Sequence, residues 1–267
     1  MKSSKKHLIP MFLVLVGLAT LSFTAKNGVT LRLHPQQGKS YIVNSKATIM
    51  QMIEVQGQTV NANQTMEIGQ SFTVKNATEE QTEFEAQVES IKLSISNMGM
   101  KLEYDSEHPE KTSPMVADQT KEFDKVIKKP ATLTYDALGN KTSEAEEASM
   151  NNLGNAIIKL PEEEISVGST WKASTTQSVS DMEMTVEYTY TVTAITKKTV
   201  DVSFTGTLLK NTDNITGTYN GTASINPNTG LVTQSNTKSN VSMTMSQQGM
   251  TFPVTMVSNT TVTVAEK

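Results

Sequence analysis

Cysteine is absent from this 267-residue chain. That excludes disulfides, thiolate metal ligands, a thiol nucleophile and the lipid-accepting cysteine of a bacterial lipoprotein. Histidine is almost absent: only His34 and His108 lie beyond the first few residues. In "EYDSEHPE", Asp105, Ser106 and His108 are triad residue types, but a triad is a spatial arrangement that neighbours on one polar turn do not present. No glycine-rich loop ends in a phosphate-binding lysine. The acidic clusters "EAEE" and "PEEE" lack calcium-loop spacing and read as a helix first turn and a solvated loop. The chain is thus expected to be non-enzymatic and to need no cofactor. Basic residues do not outnumber acidic ones, and the formal net charge is -4. Nucleic acid, which needs a basic face, is excluded as a partner. Aromatic residues make up 5% of the chain, and the sheets are expected to curl around a shared Met, Val and Phe core.

Long hydrophobic runs are missing as well, with one exception. Residues 8–18, "LIPMFLVLVGL", follow Lys2, Lys5 and Lys6 as the h-region and n-region of a secretory signal. The run is too short for a membrane span, which needs about 20 helical residues. Residues 1–25 are therefore expected to be a signal peptide. Gly17 and Ala19 satisfy the small-x-small rule, whereas cleavage after Ala25 places Phe23 at the minus-three position, and both sites stay open. The mature chain is expected to be exported, periplasmic or secreted, soluble and without stable membrane insertion. Losing the three lysines takes its charge from -4 to about -7.

What the sequence does have is alternation. From position 182 to 194, Met182, Met184, Val186, Tyr188, Tyr190, Val192 and Ala194 alternate with Glu183, Thr185, Glu187, Thr189, Thr191 and Thr193. This period of two predicts a half-buried strand of an antiparallel sheet. After the turn "TKKT" the pattern resumes with Val200, Val202, Phe204 and Leu208, which predicts a hairpin. Met66, Ile68, Phe72 and Val74, then Phe84, Ala86 and Val88, repeat it around "KNATEEQTE". The last strand keeps one parity through Met250, Phe252, Val254, Met256, Val262 and Val264, with Pro253 favouring an edge or bulge.

Several stretches recur in order. "FTVKNATEE" at 72–80 parallels "YTVTAITKK" at 190–198; "GKSY" at 38–41 parallels "GSTW" at 168–171; "LTYDALGN" parallels "ASINPNTG", each closing on Gly139 or Gly230. The ordered matches point to an internal repeat. Helical spacing is confined to two places. One is residues 143–159, a helical connector with Leu153 and Ile157 on a face that Leu160 extends, and the other is a short helix near 118–128, stopped by Pro130. The expected fold is mainly β: antiparallel meanders in two related halves, 27–142 and 160–267, with one or two short connecting helices. Curled sheets, a half-barrel and a sandwich all fit the alternation.

"KLEYDSE" at 101–107, "LTYDALGN" at 133–140, "LPEEEISVGSTW" at 160–171 and "INPNTGLV" at 225–232 resemble an uncharacterised domain-of-unknown-function family of exported β-rich proteins from Gram-negative bacteria. The resemblance implies a periplasmic or secreted β-rich protein and brings no catalytic residues with it.

Methionine is the one unusual theme. Met50 and Met52, Met98 and Met100, Met182 and Met184, and Met243 and Met245 form Met-x-Met pairs, and in a strand both members point to one face. Flexible thioethers fill irregular core gaps, line apolar-ligand sites, and in an oxidising compartment bind cuprous or silver ions. With Tyr188 and Tyr190, these residues form the candidate lining for an apolar small molecule. The other partner type is an envelope protein, held by a structural or adhesive module acting through sheet edges. A cavity above about 300 Å³ lined by the methionines would mark a carrier, and a filled interior an interaction module.

Overall fold

A computed structural model describes residues 28–55, 57–97, 99–143, 156–179, 182–209, 215–247 and 250–267. The expected signal segment 1–25, Met98 and most of the expected helical connector lie outside them. In chain order the elements are β1 (Ser40–Val55), β2 (Gln58–Ala77), β3 (Gln81–Asn97), β4 (Met100–Asp105), α1 (Ala117–Val126) and β5 (Ala131–Asp136). Then follow β6 (Thr170–Val179), β7 (Met182–Ile195), β8 (Val200–Leu208), β9 (Ile215–Ile225), β10 (Val232–Gln247) and β11 (Met250–Glu266). All strands join one unclosed antiparallel sheet in the order β4-β3-β2-β1-β11-β10-β9-β8-β7-β6, with β5 also on β3. The fold is therefore mainly β, with a single short helix among the described residues and one continuous unclosed sheet in place of a sandwich.

Register carries the alternation from strand to strand. One row of cross-strand neighbours runs Trp171, Tyr190, Phe204, Gly221, Thr237, Thr260, Ala47, Met66, Leu93 and Tyr104, across the whole sheet. This face is the inner one. Lys46, Glu67 and Thr261 share the opposite face, so each strand separates apolar from polar residues as a one-sided antiparallel sheet must. Glycines on the inner face make room for rings: a Cβ on Gly206 would lie 2.7 Å from the ring of Tyr188, and one on Gly221 2.6 Å from Phe204.

At one end of the sheet the inner face is filled. Residues 28–36 and 156–165 lie there as a plug, with Leu31, Leu33, Ile157, Leu160 and Ile165 buried against Phe72, Phe84, Val202 and Ile225 from both halves. Val29 and Ile165 exchange backbone hydrogen bonds of 2.8 and 3.0 Å. Arg32 ties the two segments together, donating from Nη1 to Pro161 O (3.1 Å) and from Nη2 to Glu162 O (2.7 Å). Residues 156–160 form no helical turn. The helix α1 covers a second patch, where Phe123, Val126 and Ile127 pack on Val88, Ile91 and Tyr104.

Equivalent contacts recur in the two halves. Tyr41 stacks on Phe72 at 5.0 Å and Trp171 on Tyr190 at 4.9 Å. Bulges follow Val74 in β2 and Val192 in β7. Thr78 N–H donates to Gln81 O and Thr196 N–H to Thr199 O, both at 2.8 Å. The Asp136 and Asn226 side chains each accept a backbone N–H two residues on, at 2.9 Å. These contacts set β1 against β6, β2 against β7, β3 against β8 and β5 against β9 as positions to compare.

The last strand departs from its expected place. β11 is central, between β1 and β10, not an edge. Pro253 is tolerated because pairing with β1 ends at Ile53–Val254, one residue short of it, so its missing N–H falls beyond that ladder.

Candidate functional site

Away from the plug and from the patch under α1, the inner face continues to the hairpin tips without a covering segment among the described residues. Val186, Leu208, Ile215 and Val241 are buried there, with Met184, Tyr188, Tyr219, Met243 and Met256 packed against them and partly exposed. Ile49, Ile53 and Val60 extend the surface across β1 and β2, also half-buried. From Ser45 and Val262 to the tips, no Asp, Glu, Lys or Arg occupies an inward register position among the described residues. The result is an uncharged trough, apolar around Val186, Leu208, Ile215 and Val241 and carrying Gln51, Gln64, Ser239 and Ser258 among its inward residues, with aromatic rings at its base and methionines at its rim.

The tyrosines at the base stay protonated. Burial pushes the Tyr188 hydroxyl from 10.0 up to about 12, with Tyr219 adding to the rise. Burial likewise raises Tyr190, helped by Tyr188, and raises Tyr219. Below pH 10 these phenols are neutral in folded and unfolded chain alike and contribute no pH dependence. Between pH 10 and 12 the unfolded chain releases its protons while folded Tyr188 keeps its own, so unfolding is favoured as pH rises. The urea midpoint is expected to fall across that interval, and tyrosinate absorbance of the native protein to lag behind that of the urea-unfolded protein. Coincident titrations would contradict the burial of these rings.

The candidate methionines separate into groups. Met184, Met243 and Tyr188 each pack against the cluster of Val186, Leu208, Ile215 and Val241, and Tyr190 is buried deeper, in the main core. Met100 and Met245 have inward register but are 55% and 50% exposed near the tips. Met182 opens β7, and its side chain lies outside the described residues, as does all of Met98. Met50 and Met52 are the correction: they pair with Asn63 and Asn61 on the outer face, and Met50 is 41% exposed. A Met-x-Met spacing guarantees a common face but not which one. In β1, Tyr41 and Val43 take the inner face, and Met50 and Met52 have the other parity. Sequence reasoning about the site missed Val186, Leu208, Ile215, Val241 and Tyr219. The alternation that predicted the strands was the available signal.

The volume criterion is met elsewhere. A cleft of about 530 Å³ lies by the bulge after Gly69, and polar residues including Asn44, Lys46, Glu67, Ser90 and Lys92 line it. Its lysines are already paired, Lys46 with Glu67 at 2.7 Å and Lys92 with Glu107 at 2.7 Å. None of the methionines lines it. Among the described residues no three His, Asp or Glu side chains gather as metal ligands would, and no helix is long and apolar enough to cross a membrane.

Comparison with solved structures gives a likeness in fold. A structure described as lipid–protein interactions in lipovitellin matches with TM-score 0.50 and 12% identity over 86% of this chain and 25% of that one. This chain thus spans a quarter of that chain's length. An outer membrane channel from Pseudomonas putida F1 (TM-score 0.23, 9% identity, 87% of this chain and 98% of that chain) is more remote. So is the translocator domain of the autotransporter NalP from Neisseria meningitidis (TM-score 0.25, 10% identity, 86% and 89%). No curated protein matches the chain. Residues 141–232 match the model of DUF6263, a family of unknown function.

Proposed function

We propose that this chain is an exported, non-enzymatic binding protein built from two copies of one β-module, and that it holds an apolar ligand such as an acyl chain along the tip half of its inner face. The observation that carries this reading is the trough: a continuous sheet face without charge, where Met184, Met243 and Met256 remain partly exposed over buried Val186, Leu208, Ile215 and Val241. Half-exposed apolar surface of this kind is stabilised by covering, at about 25 cal/mol per Å² removed from water. Lacking charged side chains, it offers no electrostatic recognition, so the bound portion is hydrocarbon and any charged head group projects past the hairpin tips. Mobile thioethers accommodate chains of different length and unsaturation. The fold neighbour described by its lipid–protein interactions is compatible with this reading, by analogy of fold alone.

The test is titration of the natively purified protein with a fluorescent fatty-acid probe. Saturable binding is expected. Met243→Asp, which places a carboxylate in the trough, is expected to weaken it at least about tenfold, or about 1.4 kcal/mol. Met50→Asp on the outer face is expected to leave it unchanged. Absence of saturation, or equal effects of the two variants, would overturn the assignment.

A further inference from the structure

The correspondence between the halves exposes an asymmetry in the sheet. The outer edge of β1 is covered by β11, from Tyr41–Glu266 to Ile53–Val254. Its counterpart β6 pairs with β7 on one side and, among the described residues, with nothing on the other. The neighbouring flank is also incomplete. The outer edge of β9 carries β10 from Val232–Ile225 to Met243–Ile215, whereas that of β5, among the described residues, carries only the isolated Tyr135–Lys141 bridge, with Thr142 N–H donating to Thr134 O at 2.8 Å. One junction between the halves is thus filled by the β10–β11 hairpin, and among the described residues the other is open.

The open edge is not defended. β4 and β5 are short, six residues each, and β4 carries Lys101 and Glu103. β6 is ten residues long and contains no proline. Its lysine, Lys172, is on the outer face and is held by Glu187 at 2.9 Å, so it does not guard the edge. Long uncharged edges present unpaired N–H and C=O groups in a row and accept a further strand unless blocked.

We infer that β6 is a docking edge for an extended segment of a partner protein, bound antiparallel as β11 is bound to β1. Aligning Trp171 with Tyr41, by their matching ring stacks, puts Ala173 at the place of Val43 and Thr175 at that of Ser45. The β11 partners of Val43 and Ser45 are Val264 and Val262. The segment that fits therefore carries β-branched apolar residues at alternate positions, covering Ala173 and Thr175, and uncharged polar residues between them, as "VTV" does in β11. Backbone hydrogen bonds supply affinity, and the two small β6 side chains select for the bulky partner residues.

A synthetic peptide with the sequence of residues 254–267 is a direct probe, because it already satisfies the equivalent edge. Titrated as a labelled monomer into the full-length mature protein, it is expected to bind saturably. A peptide with Val262→Lys and Val264→Lys is expected to bind at least tenfold more weakly. In the protein, Thr175→Lys, an inward charge on an edge strand, is expected to remove binding with the circular dichroism spectrum unchanged. If that variant does not fold, the peptide pair alone decides. No saturation, equal binding of a scrambled peptide, or a β6-mediated dimer of the protein that the peptide does not dissociate would each overturn the inference. Loss of fatty-acid binding leaves it untouched, since the trough and the edge are separate surfaces.

Discussion

Gly230→Ala is expected to destabilise the protein by about 2 to 5 kcal/mol, the sum of a left-handed backbone penalty and overpacking. Gly230 has φ +71°, and a Cβ built on it would lie 2.3 Å from Arg32 O, 2.7 Å from Arg32 C and 2.8 Å from Leu33 Cα. Those are backbone atoms of the plug, held from several sides. His34 N–H donates to Thr229 O at 3.0 Å, Leu33 N–H to Ala137 O at 2.8 Å, and the Arg32 side chain is engaged with residues 161 and 162. The intruding methyl group cannot be relieved by a rotamer change, so either the turn or the plug must shift. Gly38→Ala is the control. Gly38 has φ +83° but nothing within 4 Å of the added Cβ, so only the backbone penalty of about 1 to 2 kcal/mol applies. Urea melts of the two variants beside the parent measure the difference. Equal midpoints would mean that residues 28–36 are not packed on the 226–230 turn.

Phe84→Ala is expected to cost about 3 to 5 kcal/mol through lost burial and the cavity left behind. Phe84 is 0% exposed and sits in a chain of rings: Tyr41 on Phe72, Phe72 edge-on to Phe84 at 5.3 Å, and Phe84 edge-on to Tyr135 at 6.0 Å. Rings bring a further about 0.5 to 1.5 kcal/mol per pair beyond their area, so removing the middle ring weakens two contacts at once. Phe84 also belongs to the cluster that includes the plug residues Leu31 and Leu33. A comparable loss is expected in thermal and urea unfolding. An effect below about 1 kcal/mol would contradict the placement of this residue at the centre of the core.

The two substitutions mark how far the sequence could be read. The inward parity of Phe72, Val74, Phe84 and Ala86 was legible, because alternation is local: successive residues of a strand point to opposite faces whatever lies opposite. The turns ending at Gly139 and Gly230 were legible for the same reason, since an Asp or Asn side chain hydrogen-bonds the backbone two residues on. The close approach of Arg32 to Gly230 was not, because nothing in "TLRLHPQQG" reveals which distant turn it will cross. Around the trough, Met184, Met243 and Tyr188 pack against one cluster of buried aliphatic residues. Met50 and Met52 were grouped with them by composition and point away, because the face of a pair is fixed by register with neighbouring strands.

By itself, then, the sequence determined the strands, their hairpins and their two-sided character, all of which follow from short-range stereochemistry and period-two patterning. The tertiary structure decided what no local pattern contains: that the two meanders share one unclosed sheet, that β11 lies between β1 and β10, and that residues 28–36 and 156–165 fill one end. These are choices among strand pairings with similar local energies. They are settled by which arrangement buries the plug residues against both halves at once, a condition that exists only when segments far apart in the chain meet.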